Sequence, residues 1–278
     1  MNLGDLLRTG TAQLTAAAIE SPRVDAELLL ATVAGVQRSR LSLHVEDTIG
    51  PESAAEYQAM LERRAAREPL QHIVGEAPFR HVIVSVGPGV FVPRPETELL
   101  VDAVLPALAG IAHPVVVDLC SGSGALALAL DDEVPGATVI AVEHDPVALG
   151  WLWNNTLESA VHVQDGDVTD PGMVRERAAV DAVVSNPPYV PDGTVVSAEV
   201  RADPPIAVFA GPDGLAVIPH VIARAAELLR PGGVLALEHD DTHGESVPTL
   251  LAADGRWRDI ADHADLTGRP RYVVAVRV

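Results

Sequence analysis

Two kinds of hydrophobic spacing divide the chain. Up to about residue 70, apolar residues recur at helical intervals: Leu3, Leu6, Leu7 and Leu14 share one stripe, and Leu28, Leu29 and Leu30 lie in a second run. Ser21-Pro22 reads as an N-cap with proline at the first helical position. A third helix is expected from Pro51 to Arg67, where Pro69 ends it. Residues 1–70 therefore read as a small all-α bundle, and nothing in it forms a catalytic pattern.

From His72 the pattern changes. His72-Ile73-Val74-Gly75 and 82–86 predict two short strands around a turn, a β-hairpin linker spanning 71–92. From 93 to 278, glycine and proline punctuate apolar segments of strand length at 115–119, 138–143, 161–164, 181–185, 234–238 and 272–278. Helical stretches near 96–109, 124–131, 146–158, 214–229 and 244–253 separate them. Strands alternating with helices imply an α/β domain, a mostly parallel sheet covered on both faces. In such sheets ligands bind beyond the carboxyl ends of the strands, near the point where the strand order reverses. The residues following each strand are thus the candidates for chemistry.

After the first strand runs Cys120-Ser121-Gly122-Ser123-Gly124, leading into a helix. Small residues let a ligand approach the backbone, and free amides at a helix start favour a negative group. Gly122, Gly124 and Ala127 also satisfy a relaxed G-x-G-x-x-A pattern, so a dinucleotide site and a tight turn without ligand both remain open. Glu143 ends the second strand, where a carboxylate can accept from the paired hydroxyls of a ribose. Asp167 follows the third, as a partner for an adenine amino group or as an ordinary turn aspartate.

The most specific signal is Asn186-Pro187-Pro188-Tyr189 after the fourth strand. Paired prolines fix the backbone and leave carbonyls without amide donors of their own. With the Asn186 side-chain carbonyl they form a clamp for the two hydrogens of a planar NH2 group, and Tyr189 offers a flat wall. His239-Asp240-Asp241-Thr242-His243 has a spacing that serves a metal only on a helix. It follows a strand and reads as a solvated loop, so no metal site is expected.

These segments resemble the class I methyltransferases that use S-adenosylmethionine and, within them, the HemK (PrmC) family. The likeness covers nearly the whole chain. It runs through Pro69-Leu70-Gln71-His72-Ile73-Val74-Gly75, Val92-Pro93-Arg94-Pro95-Glu96-Thr97-Glu98, the glycine loop and 185–190. It continues through Gly211-Pro212-Asp213-Gly214-Leu215, Leu237-Glu238-His239 and Asp265-Leu266-Thr267-Gly268-Arg269. The resemblance implies a seven-stranded Rossmann-like sheet with one antiparallel strand, behind a helical substrate-docking domain and a hairpin linker. It implies methyl transfer from S-adenosylmethionine to the side-chain amide nitrogen (N5) of the glutamine in the Gly-Gly-Gln motif of peptide-chain release factors.

By the same likeness Cys120, Ser121, Gly122, Ser123, Gly124, Glu143, Asp167, Val168 and Asn186 would hold the cofactor. Asn186, Pro187, Pro188 and Tyr189 would hold the glutamine, with Asn186, Pro187 and Tyr189 catalytic. Arg94 and Glu96 would line the entrance to that pocket, or cap the helix behind them. Cys120 stands where the family usually has glycine, Glu143 replaces a more usual aspartate, and Val168 occupies a place often aromatic.

Charge and composition bear on the rivals. The 278 residues include 19 arginines, no lysine and 39 acids, a net charge of −20. Residues 81–278 hold eleven of those arginines against twenty-eight acids. A DNA adenine methyltransferase would grip an exocyclic amine in the same way, but it needs base flipping and a basic groove. The acidity argues against it and against direct binding of nucleic acid. Two further rivals stay open, a nicotinamide-dependent dehydrogenase and a non-catalytic binding protein that keeps the fold. Cys120 is the only cysteine, which excludes a disulfide within the chain. No apolar run reaches the roughly 18 residues of a membrane span. MNLGD lacks the basic start of a signal peptide, so a cytoplasmic protein is expected.

Overall fold

The computed structural model describes residues 1–173 and 179–278. The chain divides into two units, Met1–Glu76 with Ser197–Ala202, and Ala77–Val196 with Asp203–Val278.

In the first unit, helices α1 (Leu3–Ala16), α2 (Pro22–Ala34), α3 (Pro51–Ala65) and α4 (Leu70–Val74) enclose their own apolar core. The Asn2 side chain caps α1 by accepting from the Asp5 amide at 2.7 Å. Leu14, Leu29, Leu30, Tyr57 and Leu61 are fully buried where three stripes meet. Inside this unit Arg64 of α3 donates to Asp25 of α2 at 2.7 Å and to Glu199 at 3.2 Å.

One expectation fails here. His72-Ile73-Val74 is not a strand but the end of α4, because Gly75 at φ +89° closes the helix in the left-handed conformation. A run of four residues cannot distinguish the two periods, and burial of His72 and Ile73 suits either.

The second unit opens with the hairpin β1 (Glu76–Phe79) and β2 (Val82–Ser85), whose Phe79 and Val84 are buried in the core shared with helices α5 (Glu98–Leu108), α6 (Ala125–Glu133) and α7 (Pro146–Thr156). The strands that follow are β3 (Val115–Leu119), β4 (Thr138–Glu143), β5 (His162–Asp165) and β6 (Val180–Ser185). After the short α8 (Pro205–Val208) come α9 (Ile218–Leu228), β7 (Leu229–Glu238), α10 (Ser246–Asp254), β8 (Trp257–Ala264) and β9 (Pro270–Arg277). They form a seven-stranded sheet in the order β5-β4-β3-β6-β7-β9-β8, with β9 antiparallel to its neighbours.

Period-two alternation assigns the two faces. Val116, Ala182, Val184 and Ala236 pack beneath α5, α6 and α7, while Val117, Val183, Leu235 and Leu237 pack beneath α9 and α10. The α/β expectation, with one antiparallel strand, is met.

The sequence pattern did not predict β8. Its residues beyond Trp257 are mostly exposed and include Arg258, Asp259, Asp262 and His263, as suits an edge strand that resists further pairing. Strand order reverses between β3 and β6: the chain moves outward through β4 and β5, then returns to the other side of β3. Leu119 and Ser185, the last residues of those two strands, are register partners. The loops that leave them are therefore neighbours.

Candidate active site

The glycine loop leaves β3 in a chain of left-handed residues, Cys120 at φ +63°, Gly122 at +55° and Gly124 at +87°. The Ser121 amide donates to the Val142 carbonyl at 3.0 Å, which pins the loop against β4. From the end of β4, Glu143 reaches back: Oε2 accepts from the Gly122 amide, and Oε1 from the His144 and Asp145 amides, each at 2.8 Å. A carboxylate has about four acceptor positions, so Glu143 keeps room for one more donor.

Asp118 is fully buried under the loop. The Ser121 hydroxyl bonds its main-chain carbonyl, at 2.9 Å, and neither carboxylate oxygen has a partner among the described residues. Burial pushes this acid up to about 8. Burial and the nearby Glu143 also hold the Cys120 thiol well above its usual range, so it stands in the loop as a neutral thiol. Past β5, Asp167 accepts from the Thr169 amide at 2.8 Å, which lowers its pKa, and Val168 is buried beside Met173.

The clamp leaves β6 one strand away. The Ser185 hydroxyl donates to the Leu119 carbonyl at 2.7 Å, tying the two strand ends together. The Asn186 side-chain amide donates to Thr97 Oγ1 at 3.0 Å, and the Tyr189 hydroxyl donates to Glu238 Oε1 at 2.8 Å. Burial and the Glu238 charge raise the Tyr189 pKa, keeping the phenol a donor. Beyond it, Val190 pairs with the chain at 208–210 through bonds of 2.9 and 3.0 Å. Gly214, at φ +74°, lies so close that a Cβ there would stand 2.2 Å from the Tyr189 carbonyl oxygen. Glycine is required at that point for the loop to support the clamp.

Arg94 does not stand free. It forms an ion pair with the buried Asp203, whose other oxygen accepts from the Val92 amide at 3.1 Å, and its guanidinium lies over the Phe91 ring at 4.9 Å. It stitches the segment entering α5 to the one leading to α8. Glu96 is half-buried in the 3-10 turn Pro95–Thr97.

Residues 5–75 match the family model described as the PrmC N-terminal domain, and residues 82–245 the one described as a methyltransferase small domain. The chain is 48% identical over 275 residues to the release factor glutamine methyltransferase of Mycolicibacterium smegmatis, a match spanning 98% of this chain and 96% of that one. It is 44% identical to the release factor glutamine methyltransferase of Corynebacterium glutamicum, spanning 99% of each. The chain belongs to the release factor glutamine methyltransferase family. Among solved structures, a Thermus thermophilus 16S rRNA methyltransferase in complex with AdoMet and guanosine is similar with a TM-score of 0.51 at 24% identity. That match covers 73% of this chain and 50% of the other, and it is a likeness of fold.

For a release factor glutamine methyltransferase, three residues of this site escape sequence pattern as functional candidates. Glu238 ends β7 as Glu143 ends β4, so the strand-end rule applied to both acids would have found it. Thr97 is buried inside a segment conspicuous for its charges. Asp118 precedes the strand end by one residue, and only its unpartnered carboxylate marks it. The ring nitrogens of His239 bond the Asp240 carbonyl and Asp262, and His243 bonds the Asp213 carbonyl. Among the described residues no cluster suited to a metal ion occurs, and none of their helices is long and apolar enough to cross a membrane.

Proposed function

We propose that this chain transfers the methyl group of S-adenosylmethionine to the side-chain amide nitrogen (N5) of the glutamine in the Gly-Gly-Gln motif of peptide-chain release factors. The observation that carries this reading is the pairing of Leu119 with Ser185, which sets the glycine loop and the amide clamp side by side at one level of the sheet. The names of relatives 40–48% identical to the chain support the same substrate class.

The residues present fit the donor. Gly122 faces open space where a side chain would stand, and Glu143 retains an acceptor position for a donor on the ligand. When bound, S-adenosylmethionine supplies a strongly electrophilic methyl group, so no strong general base is needed. Asn186 Oδ1 and the Pro187 carbonyl accept the two amide hydrogens of the glutamine, while Pro188 stiffens the turn and the Tyr189 ring backs the planar group. An amide nitrogen is a poor nucleophile because its lone pair is delocalised. Orientation at a near-attack distance of roughly 3–3.5 Å, with polarisation by these acceptors, supplies the rate. The surplus proton leaves to water.

Cys120, Ser121, Ser123, Gly124, Asp167 and Val168 complete the donor side. Arg94, through Asp203, and Glu96 shape the entrance to the glutamine side. Residues 1–70 serve as the docking domain for the protein substrate, with 71–92 as linker. The substrate and the acidic surface fit a cytoplasmic enzyme that handles protein and not nucleic acid.

Mass spectrometry of the Gly-Gly-Gln peptide from a treated release factor tests this: one methyl group on the glutamine supports it. An unmodified glutamine together with a methylated DNA duplex would replace it. Asn186→Ala should abolish turnover while S-adenosylmethionine still binds within roughly twofold of wild type, since the clamp acts on the acceptor.

A further inference from the structure

The Asn155 side chain of α7 uses both of its polar groups. Its oxygen accepts from the Ser85 amide, and its NH2 group donates to the Ser85 carbonyl and to the Ser123 carbonyl, all at 2.9 Å. The orientation is unambiguous: turned over, the amide would set its NH2 against an N–H and its oxygen against two carbonyls. Toward Ser85, the last residue of β2, it pairs as a neighbouring strand would. Toward Ser123 it enters the glycine loop. There the Ser123 carbonyl is held by Asn155, and the next amide, that of Gly124, donates to the Ser121 carbonyl at 2.8 Å. Both ends of one peptide plane are thereby fixed. The restraint falls where the chain most needs it, because Gly122 at φ +55° and Gly124 at φ +87° have no side chains to hold those conformations.

The same helix secures the other side of this bridge. Val147, Trp151 and Asn155 lie four residues apart, on one stripe of α7. They meet Gly89, Gly87 and Ser85 in turn: a Cβ would stand 2.5 Å from Val147 at the first and 2.8 Å from Trp151 at the second. The chain leaving the hairpin is thus laid along α7 before it continues to Arg94. Beside the loop, Leu152 Cδ1 of α7 lies 2.6 Å from the place a Gly124 Cβ would take. We propose that Asn155 is a positioning residue for methyl transfer: its amide ties the glycine loop to the hairpin strand and holds the Ser123–Gly124 peptide in the shape that receives S-adenosylmethionine. This rests on the proposed placement of the donor at that loop. The three bonds of Asn155 run to the donor loop and to the strand that braces it. Donor affinity should therefore suffer when they are lost, and turnover at saturating donor should not.

Asn155→Asp keeps the shape and the acceptor for Ser85 but loses both N–H donors, and Asn155→Ala removes all three bonds. Each should weaken S-adenosylmethionine binding by at least roughly tenfold in calorimetric titration, with kcat on a Gly-Gly-Gln peptide at saturating donor within roughly threefold of wild type. Bonds that served folding alone would lower the melting temperature and leave the dissociation constant untouched. Glu143→Ala, which removes the proposed ribose acceptor, is the control. If it weakens donor binding while both Asn155 variants stay within roughly twofold of wild type, the role of Asn155 is overturned. If none of the three weakens binding, the placement of the donor is wrong. A further readout needs no variant. In assigned 15N spectra of the ligand-free protein, the Asn155 NH2 protons should exchange with solvent far more slowly than those of the exposed Asn154. Equal rates would overturn the bridge.

Discussion

Asp118 and Glu238 are carboxyl groups that this fold keeps dry. Burial raises both, to about 8 and about 7, from the usual carboxylate range. Between pH 5 and 8 the native state consequently holds protons that the unfolded chain has already released. Stability contributed by such groups is complete at low pH and is lost as pH rises through the native values. The ligand-free protein should melt at a lower temperature at pH 8 than at pH 5, by the order of ~5 °C or more. Asp118→Asn, which cannot ionise, should flatten that slope in scanning calorimetry. A slope unchanged by the substitution would mean that Asp118 is already ionised in the native state.

At the scale of elements, the clamp depends on loops that lie far away in sequence. Gly214 touches the Tyr189 backbone, so Gly214→Ala must move one of the two segments. A residue with a side chain is also strained at φ +74°, at a cost of about 1–3 kcal/mol. The expected result is a drop in kcat of roughly tenfold or more with donor affinity preserved, measured by steady-state kinetics beside calorimetric titration.

This dependence also explains what is legible in the sequence. The parallel strands β3, β4 and β6 announce themselves as apolar runs between glycine and proline, and the glycine loop, Glu143 and Asn186–Tyr189 follow from their strand ends. β8 stays hidden because an exposed edge strand carries no apolar signal. α4 passes for a strand because four residues are too few to set a period. Arg94 stands out in the sequence as a candidate, but its pairing does not. A pairing with Asp203 across 109 positions is a tertiary fact that local spacing does not encode. Thr97 as the partner of Asn186, and Glu238 as the partner of Tyr189, are invisible for the same reason.

Across the whole molecule, charge is the dominant property. A net −20 without a single lysine suits a partner with a basic surface, and it sets how that partner is met. Association with a release factor should slow as ionic strength rises from about 0.05 to 0.5 M, by roughly tenfold or more in kon, while dissociation changes little. Stopped-flow binding at several salt concentrations checks this, and a salt-insensitive kon would refute it. Within the helical unit the important charge is buried. Arg64→Met strands Asp25 without its cation and leaves Glu199 only the longer pair with Arg67; it should cost about 3–5 kcal/mol, read as an earlier first transition in urea unfolding.

The six residues Ser197–Ala202 lie in the helical unit although the chain on either side of them belongs to the other. Trimming the gene at codon 76 would therefore not deliver a finished bundle, because the piece would lack Glu199 and expose Arg64 to water. The complementary piece, starting at 77, would carry an orphan strip between the amide clamp and Asp203. Anyone dissecting this protein should expect two crippled halves from a single cut, and better behaviour when the strip is supplied in trans as a short synthetic peptide.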